Sequence, residues 1–98
     1  MKKNIIQLKP GDLPEGVITT LGEDPRGRCY LFDHLEYGRL GRLVMINIEE
    51  NKQKLQYDFF EGNELRDSAN YIMRMNIFKQ IVQIINQAFD DNFSTSIR

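Results

Sequence analysis

Ninety-eight residues at a formal net charge of −1, with 41% hydrophobic and 28% charged residues, describe one globular domain, since a chain of this size buries roughly 60 to 70% of its unfolded surface around a single core. That balance excludes a second domain and wholesale disorder, and the near-neutral charge argues against a duplex-DNA binder that lives on phosphate neutralisation. One cysteine excludes an intramolecular disulfide and favours a reducing compartment.

The opening MKKNIIQLKP offers only Ile5 and Ile6 as an apolar run, short of a signal peptide's core, and no stretch approaches the roughly 18 apolar residues of a membrane span. The expectation is a soluble cytoplasmic protein with a turn-rich arm over residues 1–16. KPGDLPEG leads into Val17–Leu21, a β-branched run suited to a short strand. GEDPRG is then a tight connection, and it lacks the Gly-Lys-Ser/Thr that a phosphate loop needs.

Arg28–Leu35 alternates, with Arg28, Tyr30, Phe32 and His34 on one parity and Cys29, Leu31, Asp33 and Leu35 on the other. Residues 36–41, with two glycines, read as a loop. Leu43–Glu49 is a second strand that sets Val44, Ile46 and Ile48 against Leu43, Met45 and Asn47, and Lys54–Phe60 is a third with Leu55, Tyr57 and Phe59 on one side. Leu65–Met75 fits both periods. Period 2 groups Leu65, Ala69, Tyr71, Met73 and Met75, and period 3.6 would begin a long helix. The pattern favours a strand ending near Met75, because Asn76 is a good N-cap and IFKQIVQIINQAF carries a helical stripe through Phe78, Ile81, Val82 and Ile85. Residues 92–98 read as a frayed polar tail. The predicted fold is α+β: an antiparallel sheet of four to five strands with one long C-terminal amphipathic helix packed on one face.

Charge is uneven along this order. From Pro25 to Leu43, Arg26, Arg28, Arg39 and Arg42 face Asp33 and Glu36, a local excess of two positive charges; from Glu49 to Asp67 six acids face three bases. Ordinary solvated surface explains much of this.

Catalytic constellations are poor. Cys29 and His34 fall on opposite faces of one strand, which precludes a nucleophile and base pair, and one residue of each type does not make a zinc site. Glu49/Glu50 and Asp90/Asp91 are sequence neighbours whose side chains diverge. The expectation is a non-enzymatic protein without cofactor or metal. With Val44, Ile46, Ile48, Leu55, Tyr57, Phe59, Tyr71 and Met73 toward the helix, the open sheet face would hold Arg28, Tyr30, Phe32, Met45, Phe60, Ile72 and Arg74. Such a mixed apolar and basic face suits unpaired bases stacked on aromatic rings, or a dimer surface, unless the N-terminal arm or Val17–Leu21 covers it within the chain.

RCYLFDH as an aromatic strand, GRLVMINIEE after a glycine turn, and YIMRMNIFKQIVQIINQAF as strand, cap and helix together resemble the single-stranded nucleic-acid-binding group that includes the Pur-alpha repeats and the Whirly proteins. The resemblance spans about residues 28–90. It implies two such units paired into one body, with sheets contacting single-stranded DNA or RNA through Arg28, Tyr30 and Phe32 and through Arg39 and Arg42 at the glycine turn; Arg74 joins them from the open face. The function expected first is therefore single-stranded nucleic-acid binding. The alternative is a protein-interaction or adaptor domain whose open face binds a second copy, as a homodimer, or another protein.

Overall fold

A two-residue turn at Pro25–Arg26 closes the first hairpin, and two further reversals extend it into a meander. The structure, a computed structural model, describes residues 11–49, 52–88 and 93–97. In chain order it contains β1 (Val17–Asp24), β2 (Gly27–His34), β3 (Gly38–Glu49), β4 (Lys52–Phe59), α1 (Ala69–Ala88) and β5 (Phe93–Ile97). The strands lie in sequence order in one sheet, antiparallel from β1 to β4. β5 is parallel to β4, as a crossover through a helix requires. The α+β class stands, with the sheet's four antiparallel strands and one helix on one face. The tail expected to fray carries the fifth strand. Among the described residues no helix is long and apolar enough to cross a membrane.

The segment with two possible periods is helical. Ser68 Oγ accepts a hydrogen bond from the Tyr71 N–H at 3.2 Å, which makes Ser68 the N-cap and places Asn76 inside α1. The buried stripe is Tyr71, Arg74, Ile77, Phe78, Ile81, Val82 and Ile85. A charged residue thus holds one of the core-facing positions, and this interrupts the apolar periodicity that would have announced the helix two turns earlier.

Register fixes the faces. Leu21, Tyr30, Leu43 and Tyr57 are successive partners across β1 to β4, so their side chains share one side of the sheet. That is the side α1 covers: Tyr30, Phe32, Leu43, Met45, Leu55 and Tyr57 form one cluster with Ile77, Phe78, Ile81 and Ile85. Leu55, Tyr57 and Phe59 therefore face as expected. The middle strands are reversed from expectation: Tyr30 and Phe32 lie beneath the helix at 7% and 1% exposure, and Val44 aligns with Cys29 and Gln56 on the far side. Tyr57 anchors the distal end of α1, its hydroxyl donating to Asn86 Oδ1 at 3.0 Å. β3 also begins earlier than expected, at Gly38, after a register shift between Phe32 and Asp33.

Candidate functional site

The six candidate side chains separate into three environments. Tyr30 and Phe32 are core residues, so neither ring expected to stack a base is open to solvent; the open-face placement is corrected. Arg28 is exposed on β2, beside Glu23 and Met45 in the register. Arg39, Arg42 and Arg74 converge on Phe60, at the end of β4.

Arg74 builds this corner. Its Nε and Nη2 bind Glu64 Oε2 at 2.8 and 2.6 Å, Nη1 donates to the carbonyls of Arg39 and Phe60 at 3.1 and 2.7 Å, and Nη2 donates to that of Glu61 at 2.9 Å. A guanidinium has five N–H groups, and all are engaged within the chain. Arg74 also lies over the rings of Phe59 and Tyr71, 5.1 and 5.5 Å from their centroids. It is a hub tying β3, the loop after β4 and α1 together, with no donor left for a ligand. Burial works against the Glu64 carboxylate, but hydrogen bonds from Arg74, Asn70 and Ser68 outweigh it and hold its pKa below the ordinary value.

Arg42 is committed elsewhere. Its Nε donates to Asp58 Oδ2 at 2.9 Å, and its Nη1 lies 3.7 Å from Asp24 Oδ2. Arg26 grips Asp24 with two N–H groups, at 2.8 and 2.9 Å, and reaches Asp58 at 3.0 Å. The four side chains form a ring on the side of the sheet away from α1, joining the first turn to β4. Arg39 is different: it is exposed, and among the described residues neither it nor Arg28 forms an ion pair. With Tyr37, Phe60, Gly62, Glu64, Asn70 and Arg74 it lines a cavity of about 340 Å³. Of these lining residues the sequence had singled out Arg39, Arg74 and Phe60, and not Tyr37 or Asn70. The available signal was glycine: Gly38 and Gly62 hold φ of +90° and +74°, sharp reversals that set the two walls.

Cys29 and His34 do not form a nucleophile and base pair. Cys29 is 1% exposed, and burial pushes its thiol pKa up. The His34 ring is occupied at both nitrogens: Nδ1 accepts from the Glu36 and Tyr37 N–H groups at 3.0 and 3.3 Å, and Nε2, as the N–H tautomer this implies, donates to the Glu15 carbonyl at 3.0 Å. It is a latch for two turns.

The other exposed feature is β1. It is an edge of the sheet, pairs with β2 over eight residues without a register shift, and exposes Ile18 and Leu21 at 42% and 75%. Natural edges are blunted by charged side chains, proline or bulges; β1 contains no lysine, proline or bulge, and its two charges, Glu23 and Asp24, lie at its turn end. Asp24 and Gly27 flank a two-residue turn and so exchange both hydrogen bonds; counting back, Gly22, Thr20 and Ile18 bond to β2. The backbone groups of Thr19, Leu21 and Glu23 therefore point to the free edge. The Val17 N–H is held by the Pro14 carbonyl at 3.2 Å.

Comparison of the chain with protein-family models, with curated proteins and with solved structures returned no match.

Proposed function

We propose that this chain is a non-enzymatic protein-interaction domain that assembles by strand addition at β1, with a second copy of itself as the partner. The single observation carrying this reading is the regular, bulge-free edge strand whose outward backbone groups meet no partner among the described residues. Antiparallel pairing about a two-fold axis at Thr20 sets Thr19 opposite Leu21 of the other copy, and Val17 opposite Glu23. Thr20 then meets Thr20, a favourable cross-strand pair. Residues 19 and 21 are the ones whose N–H and C=O groups face outward, so the edge is complementary to itself in this register. The contact uses the rim of the sheet instead of its face.

Sedimentation velocity over a concentration series tests this directly. Edge pairing of this extent, with each hydrogen bond contributing a net 0.5 to 1.5 kcal/mol against the cost of association, gives a weak dimer with an expected dissociation constant between about 10 μM and 1 mM. Thr19→Pro removes an outward N–H and abolishes the dimer with the fold intact, whereas Thr20→Pro removes a bond to β2 and lowers the melting temperature. Leu21→Lys, at an exposed position, also gives a folded monomer. A wild-type chain that stays monomeric at about 1 mM, where association is worth less than 4.1 kcal/mol, sinks the proposal.

A further inference from the structure

The corner around Phe60 carries a second and independent reading. We propose that the cavity between Tyr37, Arg39 and Phe60 binds a small aromatic carboxylate. Its walls are held from behind. The carbonyls of Arg39 and Phe60 both accept from Arg74, and the Phe60 N–H donates to the Leu40 carbonyl at 3.0 Å. The Phe60 ring is flanked by the Arg42 guanidinium at 5.8 Å. The Tyr37 ring lies against His34, centroids 4.9 Å apart, and its backbone N–H is tied to the same histidine. Two aromatic residues of the lining are thus held by their neighbours, and Arg39, an exposed residue of the same lining, is the one lining arginine that makes no ion pair among the described residues.

Charge selects the ligand class. A single open guanidinium matches one carboxylate in a bidentate fork. Glu64, paired with Arg74, forms part of the wall, and its residual negative charge opposes a dianion about twice as strongly as a monoanion, which favours a single carboxylate over a phosphate. A volume of about 340 Å³ is at the small end of ligand cavities, suited to one ring and its acid group.

Benzoate is the probe, followed through the amide resonances of the ¹⁵N-labelled chain. Saturable shifts at Tyr37, Arg39, Phe60 and Asn70 are expected, with a dissociation constant on the order of 1 mM for so small a ligand. Arg39→Gln, at an exposed position that leaves the fold intact, weakens this by about tenfold. Phe60→Leu weakens it while leaving Arg39 in place. Benzamide and inorganic phosphate produce much smaller shifts. Equal binding of benzamide overturns the role of Arg39, and equal shifts with phosphate reveal a non-specific anion effect. Tighter binding of uridine 5′-monophosphate than of benzoate overturns the ligand class, and no saturable benzoate response overturns the site.

Discussion

Alternate residues of the same strands are buried in two different ways. Beneath α1, Tyr30, Leu43, Met45, Leu55 and Tyr57 meet Phe78, Ile81 and Ile85 in a contact that is apolar and tolerant of direction. On the far side Cys29, Val44 and Gln56 are also almost fully buried, yet among the described residues no helix lies there. The charges of Asp24, Arg26, Arg42 and Asp58 all act on the Cys29 thiol, and the four side chains lie on its side of the sheet. One layer is sealed by area and the other is bordered by charge-assisted hydrogen bonds, whose strength depends on geometry and on ionisation. The two should fail under different conditions, and substitutions can show whether they do.

The largest effect is expected on the helix side. Phe78 is 1% exposed, with rings of Tyr57 and Phe59 at 6.3 and 5.6 Å. Phe78→Ala removes that packing and leaves a cavity, at a cost of about 3 to 5 kcal/mol. In urea melts the loss should be the same at low and high salt, because no charge is involved. A salt-dependent loss would merge the two layers into one.

On the charged side Asp58 is the keystone, since its Oδ2 receives both Arg26 and Arg42 while its Oδ1 is buried without a partner among the described residues. Replacing a fully buried ion-pair partner costs more, but the two arginines are about a third exposed, at 30% and 35%, and regain water when released. Asp58→Asn is therefore expected to cost about 1 to 2 kcal/mol. Burial pushes the Asp58 carboxyl pKa up, but the hydrogen bonds and charges of both arginines outweigh it and hold it below the ordinary value. A carboxyl held low in the folded state stabilises above its unfolded pKa, and that contribution is lost as pH falls through the folded value. Denaturant midpoints measured from pH 7 down to about pH 3 should thus fall less steeply for Asp58→Asn than for the parent, the ordinary aspartate value being about 3.9. Parallel curves would remove the ring from the stability of this face.

Double-sided burial also explains what was legible in the sequence and what was not. α1 from Ile77 onward and the inward set of β4 stand out because one side of each is polar. In β3, by contrast, Leu43, Val44 and Met45 are buried in succession, so alternation carries no information about which side meets the helix. Val44, Ile46 and Ile48 look like the core side because they are β-branched, but Ile48 ends half exposed. The same ambiguity turned Tyr30 and Phe32 outward in the reading of β2. Arg74 hid the start of α1 for the opposite reason, as a charged side chain whose partners are carbonyls from 35 and 14 residues away. Arg39 was singled out at the glycine turn only through the resemblance. Its grouping with Tyr37 and Phe60 was not legible, because those two meet only after β3 and β4 have paired. β5, FSTSI, is too polar and short to be read as a strand before β4 supplies its partner.

Arg42→Gln makes the finest distinction between the layers. It removes one arm of the ring from a side chain that is already 35% exposed, so the global cost should be about 0.5 to 1 kcal/mol, close to that of a surface pair. The same cost should be readable at Cys29, which is buried on that side of the sheet and reports local opening there. Labelling of that thiol by a disulfide reagent proceeds through transient exposure, and burial has also pushed its pKa up, which keeps the reactive thiolate scarce in the closed state. Arg42→Gln should speed labelling by about two- to fivefold, the Boltzmann equivalent of that cost. Added salt should speed the parent in the same direction, since it screens the same contacts. The Phe78→Ala variant, whose loss lies on the other side of the sheet, should show labelling that rises only with global unfolding and ignores salt. If Arg42→Gln leaves the rate unchanged while Phe78→Ala raises it at every salt concentration, then the packing under α1 alone governs access to both sides, and the ring of charges is a surface ornament on a single apolar core.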